Sequence, residues 1–294
     1  MPSSLGPIRR QSLRMDNVMN VWRIILAVAI ALVCPTLLAA SPSAKITLSV
    51  VPQFTVVSIN GTWAPFLERL TELTGVTYEL RHYASIREFE EGFLRGETDI
   101  AYMNPYHVVM AKRAQGYVPL LRDSLPLTGI LVVRADSKLE SVKQLNGTRV
   151  AFPSPNAFGA ALWMRALLER DGITFMPHYV QTHQNVYRSV LLGATPAGGA
   201  IRSTLAREPD DVRSKLRILY ETPPVAAHAL AAHPRVPRAI TNSLLAAMAA
   251  MEEDAEKDRK FLAAIGIEHP VVADYRRDYA PLEKYDLDRL VMQK

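Results

Sequence analysis

Short apolar runs and helix-length amphipathic segments alternate through the first third of the chain that follows residue 44. Lys45 to Val51 (KITLSVV) has the pattern of a buried strand and ends at Pro52. A polar stretch, Gln53 to Gly61, reads as a loop. Thr62 is then expected to cap a helix whose apolar positions are Trp63, Phe66, Leu67, Leu70 and Leu73, with Gly75 as its stop. Val76 to Tyr83 alternates as a second strand, and Ser85 caps a helix over Ile86 to Leu94. Asp99 to Met103 (DIAYM) is a third strand. Asn104 and Pro105 form a cap with proline in the first helical position, and the helix Tyr106 to Gln115 stops at Gly116. This βαβαβα order predicts a parallel sheet with helices on both faces.

A second α/β unit follows. Val118 to Leu121 and Gly129 to Arg134 are strands, and Ser141 starts a short capped helix that ends at Gly147. Thr148 to Phe152 is a strand that breaks at Pro153-Ser154-Pro155-Asn156, after which Ala160, Leu162, Trp163, Ala166 and Leu167 mark a helix. Asp171-Gly172 is a turn, Met176 to Thr182 a strand and Asn185 to Leu192 a helix. Ala197 to Ile201 and Leu216 to Tyr220 complete a second sheet. From Pro237 the chain is helical (Ala239 to Glu253, Asp258 to Ile265), and it ends in a segment carrying Tyr275, Tyr279 and Tyr285. No flexible linker separates the units. The chain is therefore expected to cross between two lobes on short extended segments near Leu127 to Gly129 and Glu221 to Pro224. Residues 45–128 with 224–294 form lobe 1, residues 129–223 form lobe 2, and a cleft lies between them.

Ligands of open parallel sheets bind at the carboxyl ends of the strands. Four such ends feed helix starts here: Pro52 to Thr62, Tyr102 to Tyr106, Pro153 to Gly159 and Thr182 to Asn185. The third carries the strongest expectation. Asn156 can cap its helix through the side-chain oxygen, leaving the N–H groups of Ala157, Phe158 and Gly159 directed into the turn, where an anion finds donors and a favourable dipole. An ordinary turn with water on those amides is the alternative. Tyr102 and Tyr106 can each present a ring face and an O–H, and His183 stands where its imidazole can meet an oxyanion. Other chemistry is poorly supported. His178 and His183 lack the spacing of a metal pair and have no carboxylate or cysteine cluster beside them. Ser154 lacks the glycine-flanked elbow of a nucleophile, and no phosphate-binding loop or dinucleotide fingerprint is present. No metal or cofactor is expected.

The N-terminus changes how composition is read. Arg23 precedes an uncharged run from Ile24 to Leu38, and Ala39-Ala40-Ser41 offers a small-residue cleavage site, so residues 1–40 are expected to be a signal peptide, with Met15 or Met19 as a more usual start. The run is too short for a comfortable membrane span. Its removal takes away Arg9, Arg10, Arg14, Arg23 and Asp16, lowering the formal charge from +5 to +2. No basic stripe remains for nucleic acid. The only cysteine, Cys34, goes with it, so the exported chain has neither disulfide nor thiol chemistry.

Three segments taken together carry a resemblance: Asp99 to His107, Gly147 to Gly159 and Tyr179 to His183. They are similar to the phosphate/phosphite/phosphonate-binding family of ABC-transporter substrate-binding proteins, from about Lys45 to Tyr285. The resemblance implies a type 2 periplasmic binding fold, with two lobes of mostly parallel sheet flanked by helices that close over a small oxyanion. It implies a monomer in the periplasm, without catalysis, that delivers its solute to a membrane permease. The implied ligand residues are Tyr102, Asn104, Tyr106, Ser154, Asn156, Ala157, Phe158, Gly159 and His183, with Tyr102 or Tyr106 as the pocket tyrosine. Two departures stand out. The family's hydroxyl-rich helix start reads Asn156-Ala157-Phe158 here, and Gly193 to Gly199 lacks the acidic residues with which some members hold an aminophosphonate amine. An extracytoplasmic sensor input to a membrane kinase, a receptor for a different solute, and an enzyme using Tyr102, His183 and Ser154 are the alternatives.

Overall fold

The computed structural model describes residues 45–291 except 255 and 286. The expected signal peptide, with Met15, Met19 and Cys34, lies outside the described residues. In chain order the first elements are β1 (Lys45–Val50), α1 (Val56–Thr74), β2 (Thr77–Arg81), α2 (Ile86–Leu94), β3 (Ile100–Met103), α3 (Pro105–Gln115) and β4 (Val118–Asp123). Next come β5 (Gly129–Arg134), β6 (Arg149–Phe152), α4 (Trp163–Arg170), β7 (Met176–Tyr179), α5 (His183–Leu191), β8 (Ala197–Ile201), α6 (Arg202–Ala206), α7 (Asp210–Arg213) and β9 (Leu216–Glu221). The chain ends with β10 (Ala229–Ala232), α8 (Arg238–Glu253), α9 (Arg259–Ile265), β11 (Pro270–Val272) and a series of short helical turns.

Helix α1 corrects one expectation. The segment Gln53 to Gly61 is not a loop capped at Thr62: Thr55 is the cap, its hydroxyl accepting from the Ser58 N–H at 3.2 Å. Ile59 is buried beside Trp63, Phe66, Leu67 and Leu70, so the apolar stripe extends one turn further back. Burying that side chain stabilises by about 1.5–3 kcal/mol, more than the roughly 1 kcal/mol a helical glycine such as Gly61 costs. The caps at Ser85 and Asn104 form as the spacing predicts, each side chain accepting from the N–H three residues on, and Thr182, expected to end a strand, caps a helix in the same way, two residues ahead of its expected start at Asn185.

Two sheets organise the described residues. The first has the order β11-β4-β10-β3-β1-β2 and the second β7-β6-β8-β5-β9. In the first sheet β2, β1 and β3 are parallel, while β10 runs antiparallel to both β3 and β4. In the second, β7, β6 and β8 are parallel, and β5 runs antiparallel to β8 and β9. β11 is also antiparallel to β4, and the reversed strands β5 and β10 share a position in the chain, since each is the first strand after a crossing from one sheet to the other. The crossings themselves run side by side. Leu127 and Val225 exchange N–H···O bonds of 2.8 and 3.0 Å, and Thr222 bonds to both the carbonyl and the N–H of Gly129. Two extended, paired segments of this kind make a hinge, because small changes in their dihedrals rotate one sheet against the other.

Glycines set how closely the second sheet approaches the start of α4. A Cβ on Gly199 would run into the Ala160 carbonyl oxygen and the Phe152 ring, and one on Gly159 would lie 2.6 Å from Leu127 Cδ2. Gly199→Ala is therefore expected to lower stability by about 2–3 kcal/mol, measured by urea unfolding. A variant as stable as the parent would show that this contact relaxes freely. Behind the hinge, the C-terminal segment ties the two halves together. The Tyr106 O–H donates to Asp288, Arg113 pairs with Asp288 at 2.8 Å, Tyr285 packs edge-on against Trp163 with centroids 4.5 Å apart, and Arg289 meets Glu169 at 3.2 Å.

Candidate functional site

A small recess of about 10 Å³ lies where the strand ends of the two sheets meet. Its lining includes Val51, Asn104, Ala157, Phe158, Gly159, Ala160, His183 and His228. A space of that size admits roughly one water-sized group. Val51, Gln53, Ile201 and His228 also line a cavity of about 530 Å³ that opens to solvent, so the recess is the inner end of a larger cleft.

The turn before α4 is built differently from its expectation. Asn156 does not cap the helix. The helix instead starts on a π turn, Phe158–Leu162, in which the Ala157 carbonyl accepts from both Ala161 (2.7 Å) and Leu162 (3.1 Å). The Asn156 side chain donates to Glu90 Oε2 at 2.9 Å, and both residues are buried. The residue before the helix is Ala157, which makes no side-chain cap, and the Asn156 amide group is oriented by its charge-assisted bond to the carboxylate on α2. Of the three amides expected to face a ligand, that of Ala157 is taken by the Ser154 carbonyl at 3.2 Å. Phe158 and Gly159 belong to the first helical turn, whose N–H groups have no intrahelical acceptor, and both line the recess.

His183, at the first position of α5, is 2 % exposed. Its Nδ1 lies 3.3 Å from the hydroxyl of Thr204, which itself donates to the Ile201 carbonyl at 2.9 Å and lies 2.8 Å from the Tyr187 O–H. The threonine proton is used on Ile201, so Thr204 accepts from Tyr187 and from His183. That arrangement assigns the ring proton to Nδ1 and leaves Nε2 with a lone pair. Burial holds the imidazole neutral by lowering its pKa to about 3. Beside first-turn amides that only donate, Nε2 therefore contributes an acceptor.

His228 was not legible as a site residue. It stands at the end of the second crossing, just before β10, and stacks on the Tyr102 ring with centroids 5.4 Å apart and planes at 24°. Burial first, then the neighbouring His107, His183 and Arg207, lower its pKa to about 3. Tyr102 is also buried, its hydroxyl pushed above the usual phenol range by desolvation, and it packs against Trp63 at 5.0 Å. The site thus presents two neutral imidazoles and a neutral phenol.

The remaining expected residues divide. Asn104 lines the recess while its Oδ1 accepts from the His107 N–H at 2.8 Å. Tyr106 does not reach either cavity, being engaged with Asp288 on the far side of α3. Ser154 lines an adjoining groove of about 400 Å³ with Pro153, Pro155, Tyr83 and Tyr179. Gly193 to Gly199 carries no carboxylate, while Glu208, just after α6, lines the larger cavity, and burial raises its pKa. Arg207 and Lys260 line the same cavity. Among the described residues no cluster of metal-ligating side chains was found.

The family model described as "ABC transporter, phosphonate, periplasmic substrate-binding protein" matches residues 48–279. No curated protein sequence matches the chain. Among solved structures, PhnD1 from Prochlorococcus marinus in complex with methylphosphonate superposes with a TM-score of 0.76 at 15% identity, covering 84% of this chain and 98% of that one. The binding-protein component of an ABC phosphonate transporter from Pseudomonas aeruginosa gives 0.70 at 13% identity, covering 84% and 88%. A Xanthomonas citri protein solved with ATP gives 0.66 at 18% identity, covering 84% and 98%. These likenesses establish the fold, two sheets flanked by helices as in type 2 periplasmic binding proteins.

Proposed function

This chain belongs to the family of periplasmic substrate-binding proteins of phosphonate ABC transporters, and on that premise we propose that it captures a phosphorus oxyanion in the recess and cavity between its lobes. The lobes are residues 45–128 with 224–294 and residues 129–223, closing about the paired crossings at Leu127 and Val225. One observation carries the reading: Phe158 and Gly159 of the first helical turn, His183 and His228 line a single recess. Tyr102 forms part of the adjoining wall.

Recognition relies on neutral groups, which avoids burying a full countercharge. First-turn amides donate to the ionised oxygens, and His183 Nε2 accepts from a protonated one, so a hydrogen phosphonate or hydrogen phosphite satisfies the whole site. Sulfate, which carries no proton near neutral pH, leaves that acceptor unpaired. The protein performs no covalent chemistry in this reading. Ser154, the serine weighed as a nucleophile, lines a different groove from His183. The protein acts as a monomer and hands its solute to a membrane permease. Among the described residues no helix is long and apolar enough to cross a membrane.

Titration calorimetry on residues 41–294 is the test. Methylphosphonate or phosphite is expected to bind and sulfate not to. His183→Ala is expected to weaken binding about 10- to 100-fold, since a hydrogen bond to a charged partner contributes about 1.5–3 kcal/mol. Binding that ignores His183, or that prefers sulfate, would overturn the assignment of the recess.

A further inference from the structure

We propose that the solute is an extended organophosphorus dianion, a phosphonate or phosphate ester carrying a second anionic group at the end remote from the oxyanion, rather than phosphate, phosphite or a simple alkylphosphonate. The inference rests on the family-level reading above and concerns the space beyond the recess.

The argument starts from volume. The hydrogen bond from Asn156 to Glu90 joins the two lobes across the cleft, and with that bond made a cavity of about 530 Å³ still adjoins the recess. Cavities of roughly 300–1,000 Å³ suit ligands of drug-like size. A methylphosphonate has five heavy atoms and cannot fill this one, so closing over it would leave most of the cavity to water. The recess itself, about 10 Å³, takes a single oxygen of the head group. The remainder of the ligand has to lie in the larger space.

The chemistry of the wall then selects the substituent. The cavity is lined by the aromatic rings of Tyr102, Trp63 and Phe54. Arg207 is fixed on the same wall, its guanidinium 5.8 Å from the Phe54 ring centroid with one Nη donating to the Ala263 carbonyl at 3.2 Å, and it faces the side of Gly266 that Tyr102 also faces. Lys260 lines the same wall. Neither cation forms an ion pair among the described residues. Glu208 is the carboxylate lining this cavity, so the wall carries a net positive charge. A positive wall beside the aromatic surface of Tyr102, Trp63 and Phe54 matches a ligand with an apolar spacer and a second anionic group.

Calorimetry with four probes decides between this and smaller or aminated solutes: methylphosphonate, 3-phosphonopropionate, 2-aminoethylphosphonate and phosphate. 3-Phosphonopropionate is expected to bind at least tenfold more tightly than methylphosphonate. In the double variant Arg207→Met/Lys260→Met, whose folding is checked by urea unfolding, that ratio is expected to fall to within about twofold. Equal binding of the two phosphonates, tightest binding of 2-aminoethylphosphonate through Glu208, or a preference that survives in the double variant overturns the inference while leaving the family-level reading intact. Binding of none of the four overturns that reading and this one with it.

Discussion

Moving the protein from pH 7.5 to pH 5 is expected to remove about 4 kcal/mol of its stability, about 2 kcal/mol from each of His183 and His228. Both imidazoles are held neutral by burial, with folded-state pKa values lowered from 6.5 to about 3. Between those limits the unfolded chain binds the protons and the folded chain does not. Stability is therefore fully present above about pH 6.5 and declines as the pH falls toward 3. His233 is shifted in the same direction and adds to the decline, but its ring is only partly buried. The carboxylates held low by hydrogen bonds and cations, Asp99, Asp278, Asp288 and Glu97, have usual pKa values of 3.8 to 4.5 and stay ionised at pH 5. Their contribution is lost only in more acidic solution, which separates the two effects. Urea unfolding at pH 7.5, 6 and 5 measures the trend. His183→Gln and His228→Gln should each reduce the slope by roughly half, and unchanged stability of the parent between pH 7.5 and 5 would show that these rings reach water.

Which parts of the molecule were legible in the sequence follows from the range of the interactions that build them. The caps at Ser85 and Asn104 need only a side chain and an N–H three residues on, so residue type and spacing sufficed. The start of α1 was hidden because the burial of Ile59, a tertiary fact, outweighs the loop signal of Asn60-Gly61. Strand β10 reads Ala-Leu-Ala-Ala, with no β-branched residue, and it is a strand only because β3 and β4 pair with both its edges. His228, next to it, was missed for that reason. At Asn156 the helix start moved one residue on, to Ala157, and the Asn156 amide donates to a carboxylate 66 residues away, that of Glu90. Glu208, which lines the larger cavity from beyond α6, lies outside the segment Gly193 to Gly199 in which an acid was sought. Local rules located the helix starts, and only the fold shows what each start faces.

The same carboxylate carries the last expectation. Glu90→Ala should destabilise the protein by about 2–6 kcal/mol, because two buried donors lose their acceptor at about 1–3 kcal/mol each. Glu90 is 6 % exposed on α2. Its Oε1 lies 2.9 Å from His107 Nε2, and its Oε2 accepts from Asn156 at 2.9 Å. The other nitrogen of His107, Nδ1, has no hydrogen-bond partner among the described residues, which assigns the ring proton to Nε2 and directs it at Glu90. Truncation leaves two buried donors facing a void with no water to replace the acceptor. Glu90→Gln should cost less, about 1–3 kcal/mol, because one oxygen remains and the new NH₂ opposes only one donor. The bond to Asn156 has a second consequence, since Glu90 precedes the first crossing and Asn156 lies between the two. It therefore holds the lobes together independently of solute. A double-mutant cycle of Glu90→Ala with Asn156→Ala isolates it, with an expected coupling of about 0.5–3 kcal/mol. Small-angle scattering of the solute-free variants should show a larger radius of gyration than the parent. Additive stabilities in the cycle, with no expansion, would mean that closure depends on the solute alone. Room left in the cleft while this latch is shut would then no longer bear on the size of what it binds.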